Sequence, residues 1–133
     1  MDKKDINDLL SKVKIGHLGT VDAEGKPYIV PLGFRHANGT IYIHVADKGE
    51  KNDNISENPN VCFEVTSLDP TSSMLRSESW GEFASVIVRG KAEKVIEETE
   101  KIKVYGDAGW SRAGSIYKIK PERITGLAWL KDK

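Results

Sequence analysis

The sequence contains a single cysteine, Cys62. That excludes an intrachain disulfide and any zinc site built on cysteine pairs. It also lacks an excess of charge, since its 20 basic and 20 acidic side chains sum to zero. A chain-wide basic footprint for nucleic acid or an anionic membrane is therefore missing. No apolar run approaches the roughly 20 residues of a membrane span. The opening residues, Met1 to Leu10, are charged and carry no apolar stretch of the secretory kind. The expected location is the cytoplasm, with neither membrane nor nucleic acid as partner. The three histidines, His17, His36 and His44, have no metal-ligand spacing, so no metal is expected. A phosphate-binding Walker loop is absent, because Gly49-Glu50-Lys51 has neither the earlier glycine nor the following hydroxyl residue. Gly109-Trp110-Ser111-Arg112-Ala113 faintly resembles a nucleophile elbow, but the chain is too short for the hydrolase fold that uses one.

What remains suits one globular domain over residues 1–133, with 38% hydrophobic and 30% charged residues. Ile6, Leu9, Leu10 and Val13 recur at helical spacing, which predicts an amphipathic helix ended by Gly16. The period then becomes two. Strands are predicted over 15–21, 27–36 and 40–46, joined by Asp22–Lys26 and by the tight turn Ala37-Asn38-Gly39. Tyr28, Val30, Leu32 and Phe34 alternate with Ile29, Pro31, Gly33 and Arg35. Pro31 lacks an N–H and so belongs at an edge or bulge. A polar loop leads into a short helix that stops at Pro59. A strand follows over 60–67, then an aperiodic loop over 68–80. Gly81 to Val95 reads as a long strand, and Gly90 within it as a bend or a close backbone approach. A helix over 97–105 and two last strands, Ser115–Lys120 and Arg123–Leu130, complete the chain. About six to seven short antiparallel strands at this spacing predict a mainly β fold, a barrel with short helices.

One constellation points to chemistry. The strand ending in Tyr42-Ile43-His44-Val45-Ala46 runs into Asp47-Lys48-Gly49-Glu50-Lys51, which opens a helix. Lysines around a glycine at a helix start, with the free backbone N–H groups there, can hold a phosphate. The same lysines also read as ordinary solvated charges. Pro31 and Gly33 together leave strand backbone bare enough for a flat ring to lie on it.

At these residues the sequence resembles the pyridoxamine 5'-phosphate oxidase-like family of FMN-binding split barrels, and within it the nitroimidazole-resistance-like subgroup. The likeness is carried in order by Gly16–Asp22 with Pro27–Phe34, by Ile41–Ala46 with Gly49–Lys51 and Asn58–Phe63, by Ser85–Glu93, and by Ile116–Gly126. The resemblance implies a six-stranded split barrel that forms a homodimer with FMN at the interface. It implies that Lys51 and Lys48 hold the FMN phosphate and that Pro31, Leu32 and Gly33 line the isoalloxazine ring. Val45 and Ala46 would touch the ring or ribityl chain, Ser85 would hydrogen-bond a ring edge, and His44 would lie near the flavin as the catalytic candidate. The expected function is an oxidoreductase passing electrons from a small-molecule donor to a small acceptor of the nitro or quinone class. The alternative is a slow or non-catalytic protein carrying FMN or haem on the same fold. Trp110 and Trp129 are the aromatics expected in the dimer cleft, or else simple filler.

Overall fold

The computed structural model describes residues 2–46, 48–68, 83–106 and 114–129, with Trp129 by its backbone alone. The elements run α1 (Lys3–Lys12), β1 (Ile15–Val21), β2 (Pro27–Ala37), β3 (Thr40–Val45), α2 (Glu50–Glu57), β4 (Asn60–Ser67), β5 (Phe83–Lys94), α3 (Glu98–Tyr105) and β6 (Ser115–Trp129). Alternation along the strands drives the architecture. Leu18, Ile41, Ile43, Phe63, Val65, Val86, Val88 and Ile119 are buried at 1% exposure or less, and their outward neighbours are largely half-buried or exposed. Turning all those inward faces toward one axis closes the sheet into a barrel, in the order β1-β2-β3-β6-β5-β4. Every pairing is antiparallel. The expected mainly β split barrel is therefore what the chain forms, with six strands.

The last two predicted strands are one. β6 runs unbroken through Pro121 for 15 residues. Pro121 sits opposite Gly90, where the register between β5 and β6 shifts, so its missing N–H falls at a bulge. Gly90 supplies the close approach anticipated for it: a Cβ there would collide with the Lys120 carbonyl oxygen. At the other end of the chain the first helix stops earlier than its apolar period suggests. Val13 caps α1 in extended backbone, donating its N–H to the Leu9 carbonyl, and Gly16 lies inside β1. The Asn38-Gly39 turn has positive φ at both residues, 52° and 75°, as a two-residue hairpin requires. Residues 69–82, which hold most of the predicted 68–80 loop and the predicted strand start at Gly81, lie outside the described residues, as do 109–113. Among the described residues no helix is long and apolar enough to cross a membrane.

The helices plug and brace the barrel. α1 contributes Leu9 and Leu10 to the core, and α2 contributes Ile55. Buried Asn54 of α2 donates to the buried hydroxyl of Thr20 at 3.0 Å, which fixes α2 against β1. α3 covers the outer side of β3 and β6, where Tyr42, Val95 and Ile116 form a second small core. Tyr42 faces away from the barrel axis as its alternation predicts, yet it is buried because α3 lies over it. Its hydroxyl donates to Glu100 Oε2 at 2.8 Å, and Lys118 Nζ approaches the same oxygen at 3.2 Å. The Tyr42 hydrogen bond, aided by Lys118, holds the Glu100 carboxyl below the usual carboxylate range, although partial desolvation opposes it.

Gly90→Ala is expected to lower stability by about 1–3 kcal/mol, because overpacking here presses on a backbone carbonyl. Gly19→Ala is the comparison, since its Cβ would meet the Cys62 carbonyl oxygen at an ordinary 3.5 Å; urea melts of the two variants should separate clearly. Tyr42→Phe is expected to cost about 1 kcal/mol at pH 7 by removing a hydrogen bond to a carboxylate. Because the folded Glu100 carboxyl titrates low, that stabilisation exists above the normal carboxylate range and fades as pH falls through it. Melts of both proteins should therefore converge in acid; a deficit independent of pH would contradict the assignment.

Candidate functional site

β2 changes neighbours along its length. Its residues from Pro27 to Gly33 pair with β1, whereas its pairing with β3 spans only Phe34 to Ala37. Among the described residues the first half of β2 is thus open on the β3 side. Pro31 is tolerated here for that reason, at what is locally an edge. Pro31 and Gly33 point outward and are exposed, while Leu32 packs against the core. A ring laid on this surface meets Leu32 through its backbone.

Beside this opening lies a cavity of about 500 Å³, lined by Lys14, Gly33, Phe34, Arg35, His44 and Tyr105. The missing side chain of Gly33 keeps it roomy: a Cβ there would touch only the Lys14 carbonyl oxygen, at 3.7 Å. The Arg35 guanidinium stands 5.5 Å from the centre of the Tyr105 ring, and the His44 ring centre lies 6.3 Å from it. Neither Lys14 nor Arg35 forms an ion pair with a described residue. The Tyr105 hydroxyl is buried and has no hydrogen-bond partner among the described residues. Burial pushes its pKa up to about 12, with Arg35 pulling weakly the other way, so it remains a neutral donor across the physiological range. An unpaired buried hydroxyl costs free energy unless a ligand or water completes it.

His44 enters this wall from β3, opposite Ile116 of β6. Gly114, with φ of +100°, passes so near that a Cβ on it would lie 3.1 Å from His44 Nε2 and 2.5 Å from the Val45 carbonyl oxygen. Val45 itself is 3% exposed and belongs to the core, so a ligand can reach it only through the backbone. Ala46 and Lys48 are exposed, and Lys51 is half-buried in the first turn of α2. The N-cap of α2 is Gly49, φ 136°, which has no side chain to satisfy the first-turn N–H groups. A helix start without a side-chain cap is the kind of place an anion can occupy. Glu50 shares this turn and is exposed.

The predicted residues thus fall into groups. Gly33 and His44 line one cavity, with Pro31 on the strand leading into it; Lys48 and Lys51 stand where β3 gives way to α2. Ser85 is elsewhere. It lies on β5, separated from β2 by β1 and β4, which is about 14 Å along the sheet at the usual strand spacing. Its hydroxyl donates to Glu64 Oε2 at 2.7 Å. Trp110 and the side chain of Trp129 lie outside the described residues. Sequence reasoning missed Lys14, Arg35 and Tyr105. Arg35 was legible as an outward strand residue, but no period or spacing connects Lys14 or the last residue of α3 to β2.

Several solved structures share this fold. A candidate 5-nitroimidazole antibiotic resistance protein from Bacteroides thetaiotaomicron superposes with a TM-score of 0.72 at 25% identity, covering 94% of this chain and 82% of that one. The FAD binding protein of Mycobacterium smegmatis gives 0.76 at 25% identity, covering 97% and 96%. A heme binding protein from the same organism gives 0.70 at 15% identity, covering 92% of this chain and 52% of its own, a likeness of fold alone. No curated protein matches the chain. The family described as pyridoxamine 5'-phosphate oxidase matches from residue 2 to residue 128. That match spans nearly the whole barrel, with the open flank of β2 and the His44 cavity inside it, and the chain belongs to the pyridoxamine 5'-phosphate oxidase family.

Proposed function

We propose that this protein binds FMN between two copies of the chain and passes electrons from a small-molecule donor to a nitro or quinone acceptor. The observation that carries the reading is the cavity beside the open half of β2. It is lined by two cations, Lys14 and Arg35, beside His44 and the Tyr105 ring. Such a donor set fits a flat ligand rich in oxygen and nitrogen acceptors. The FAD binding relative and the resistance-protein relative, each 25% identical, support a flavin as that ligand.

Bound flavin would supply the electron transfer, and the protein position and electrostatics. Lys48, Lys51 and the first-turn N–H groups of α2 hold the phosphate. Pro31 and Gly33 offer bare backbone to the ring, and Val45 and Ala46 border it through theirs. Lys14 and Arg35 favour acceptor oxygens on which negative charge builds. His44 orients the acceptor or gives it a proton. Ser85 of the same chain is too distant to share the ring with Gly33, whereas a two-fold copy brings a second Ser85 to each site. Exposed Ile15, Ile29 and Leu127, at 55%, 68% and 56%, support a covered outer face.

The visible spectrum of purified protein mixed with FMN and passed through gel filtration tests this reading. A retained flavin spectrum is expected. A Soret band in its place would replace flavin with haem, and a colourless protein would end the proposal. Lys51→Glu should weaken FMN binding more than about tenfold, the scale of a charge-assisted hydrogen bond lost to phosphate. Glu50→Lys should tighten it about two- to fivefold by removing a like charge from the helix start. Fluorescence titration measures both. Gly33→Val should reduce flavin retention while leaving the melting temperature near wild type, because the added methyls enter the cavity rather than the core.

A further inference from the structure

A second polar cluster is centred on Glu64, on the outer face of β1, β4 and β5. Glu64 Oε1 accepts from His17 Nδ1 at 3.1 Å. Glu64 Oε2 accepts from the Ser85 hydroxyl at 2.7 Å and also from the Thr66 hydroxyl. Strand register makes this cluster. His17 is directly opposite Glu64, Thr66 follows Glu64 by one pleat on the same face, and Ser85 is directly opposite Thr66. The flanks are apolar: Pro31 lies opposite His17, Ile87 opposite Glu64, and Leu127 opposite Ser85.

The direction of the protons follows from elementary valence. Burial raises the Glu64 pKa, but the hydrogen bonds from Thr66, Ser85 and His17 outweigh it and hold the carboxyl below its ordinary range. At neutral pH the group is a carboxylate, which only accepts. Ser85 and Thr66 each own one hydroxyl proton, and both are given to Glu64. What these hydroxyls present outward is lone pairs. His17 gives its Nδ1 proton to Glu64, and its side chain is 46% exposed. A carboxylate has thus turned two dual-purpose hydroxyls, those of Ser85 and Thr66, into acceptors facing one way. Isolated surface pairs of this kind contribute little to stability, which leaves recognition as the stronger reason for the arrangement.

We infer that the Glu64 cluster is a hydrogen-bond-accepting site that recognises an N–H edge of a planar ring, and that Glu64 is its positioning residue. The inference rests on the flavin reading and sharpens it: the edge Ser85 meets is the imide N–H of isoalloxazine, not a carbonyl. An edge with acceptors alone, or with its N–H blocked, would be rejected.

The probe is FMN methylated at the imide nitrogen, compared with FMN itself by fluorescence titration. Wild-type protein should bind the methylated form about tenfold more weakly, the loss of one hydrogen bond with its acceptor left unpaired. Glu64→Gln should bring the ratio of affinities to within about twofold, since its amide obliges at least one neighbour to present a proton outward. Ser85→Ala should do the same, and circular dichroism checks that both variants fold. The ratio compares two ligands on one protein, so a merely structural role for Glu64 would leave it unmoved. Equal affinity of wild type for both probes would overturn the inference while leaving the flavin reading intact. So would a wild-type preference that survives in both variants. A wild type that binds neither probe would overturn both.

Discussion

The barrel depends on one strand doing the work of two. β6 pairs with β3 from Ser115 to Ile119 and with β5 from Tyr117 to Trp129, so it joins the two halves of the sheet on one side while β1 and β4 join them on the other. A strand that long must bend to follow the barrel's curve. The bend falls where Gly90 faces Pro121: one residue has no side chain to obstruct the partner's carbonyl, and the other has no N–H to leave unpaired. Closure then turns the alternate residues of every strand into one core and removes the free edges that would otherwise invite aggregation.

Closure is incomplete at one place, and the chemistry gathers there. β2 cannot follow β1 and β3 over its full length, so its first half is left open on one side. Proline and glycine occupy the opening, residues that a fully paired strand would not hold. α3, covering the outside of β3, brings the Tyr105 ring to the cavity beside the opening, and α2 begins soon after β3 ends. Bare backbone and two cations meet at this opening.

The same outer face carries the Glu64 cluster, whose His17 pairs with Pro31 of β2, and the two sites differ in sign. The β2 opening offers donors, Lys14 and Arg35. The Glu64 face offers acceptors. A chain of zero net charge can in this way hold two complementary surfaces.

Local pattern was enough for much of this protein. Alternation marked the strands, Asn38-Gly39 marked the hairpin, and Gly90 marked a close approach, because each of these is a property of neighbours along the chain. The join of 115–120 to 123–129 was not legible, since a proline ends a strand only if its N–H is needed, and that depends on Gly90, thirty-one positions earlier. Gly16 misled for a similar reason: a glycine near a helix end looks like a cap until the register of β1 is known. Lys48 and Lys51 could be seen as a candidate anion site from order and type alone. Lys14, Arg35 and Tyr105 could not be joined to His44, and Glu64 could not be joined to His17 and Ser85. Those groupings arise from strand order and helix docking, which pair residues far apart in sequence. The sequence by itself determined the elements and which face of each is apolar, because periodicity is local. Only the tertiary structure decided which polar groups meet and which way their protons point, because both follow from cross-strand register.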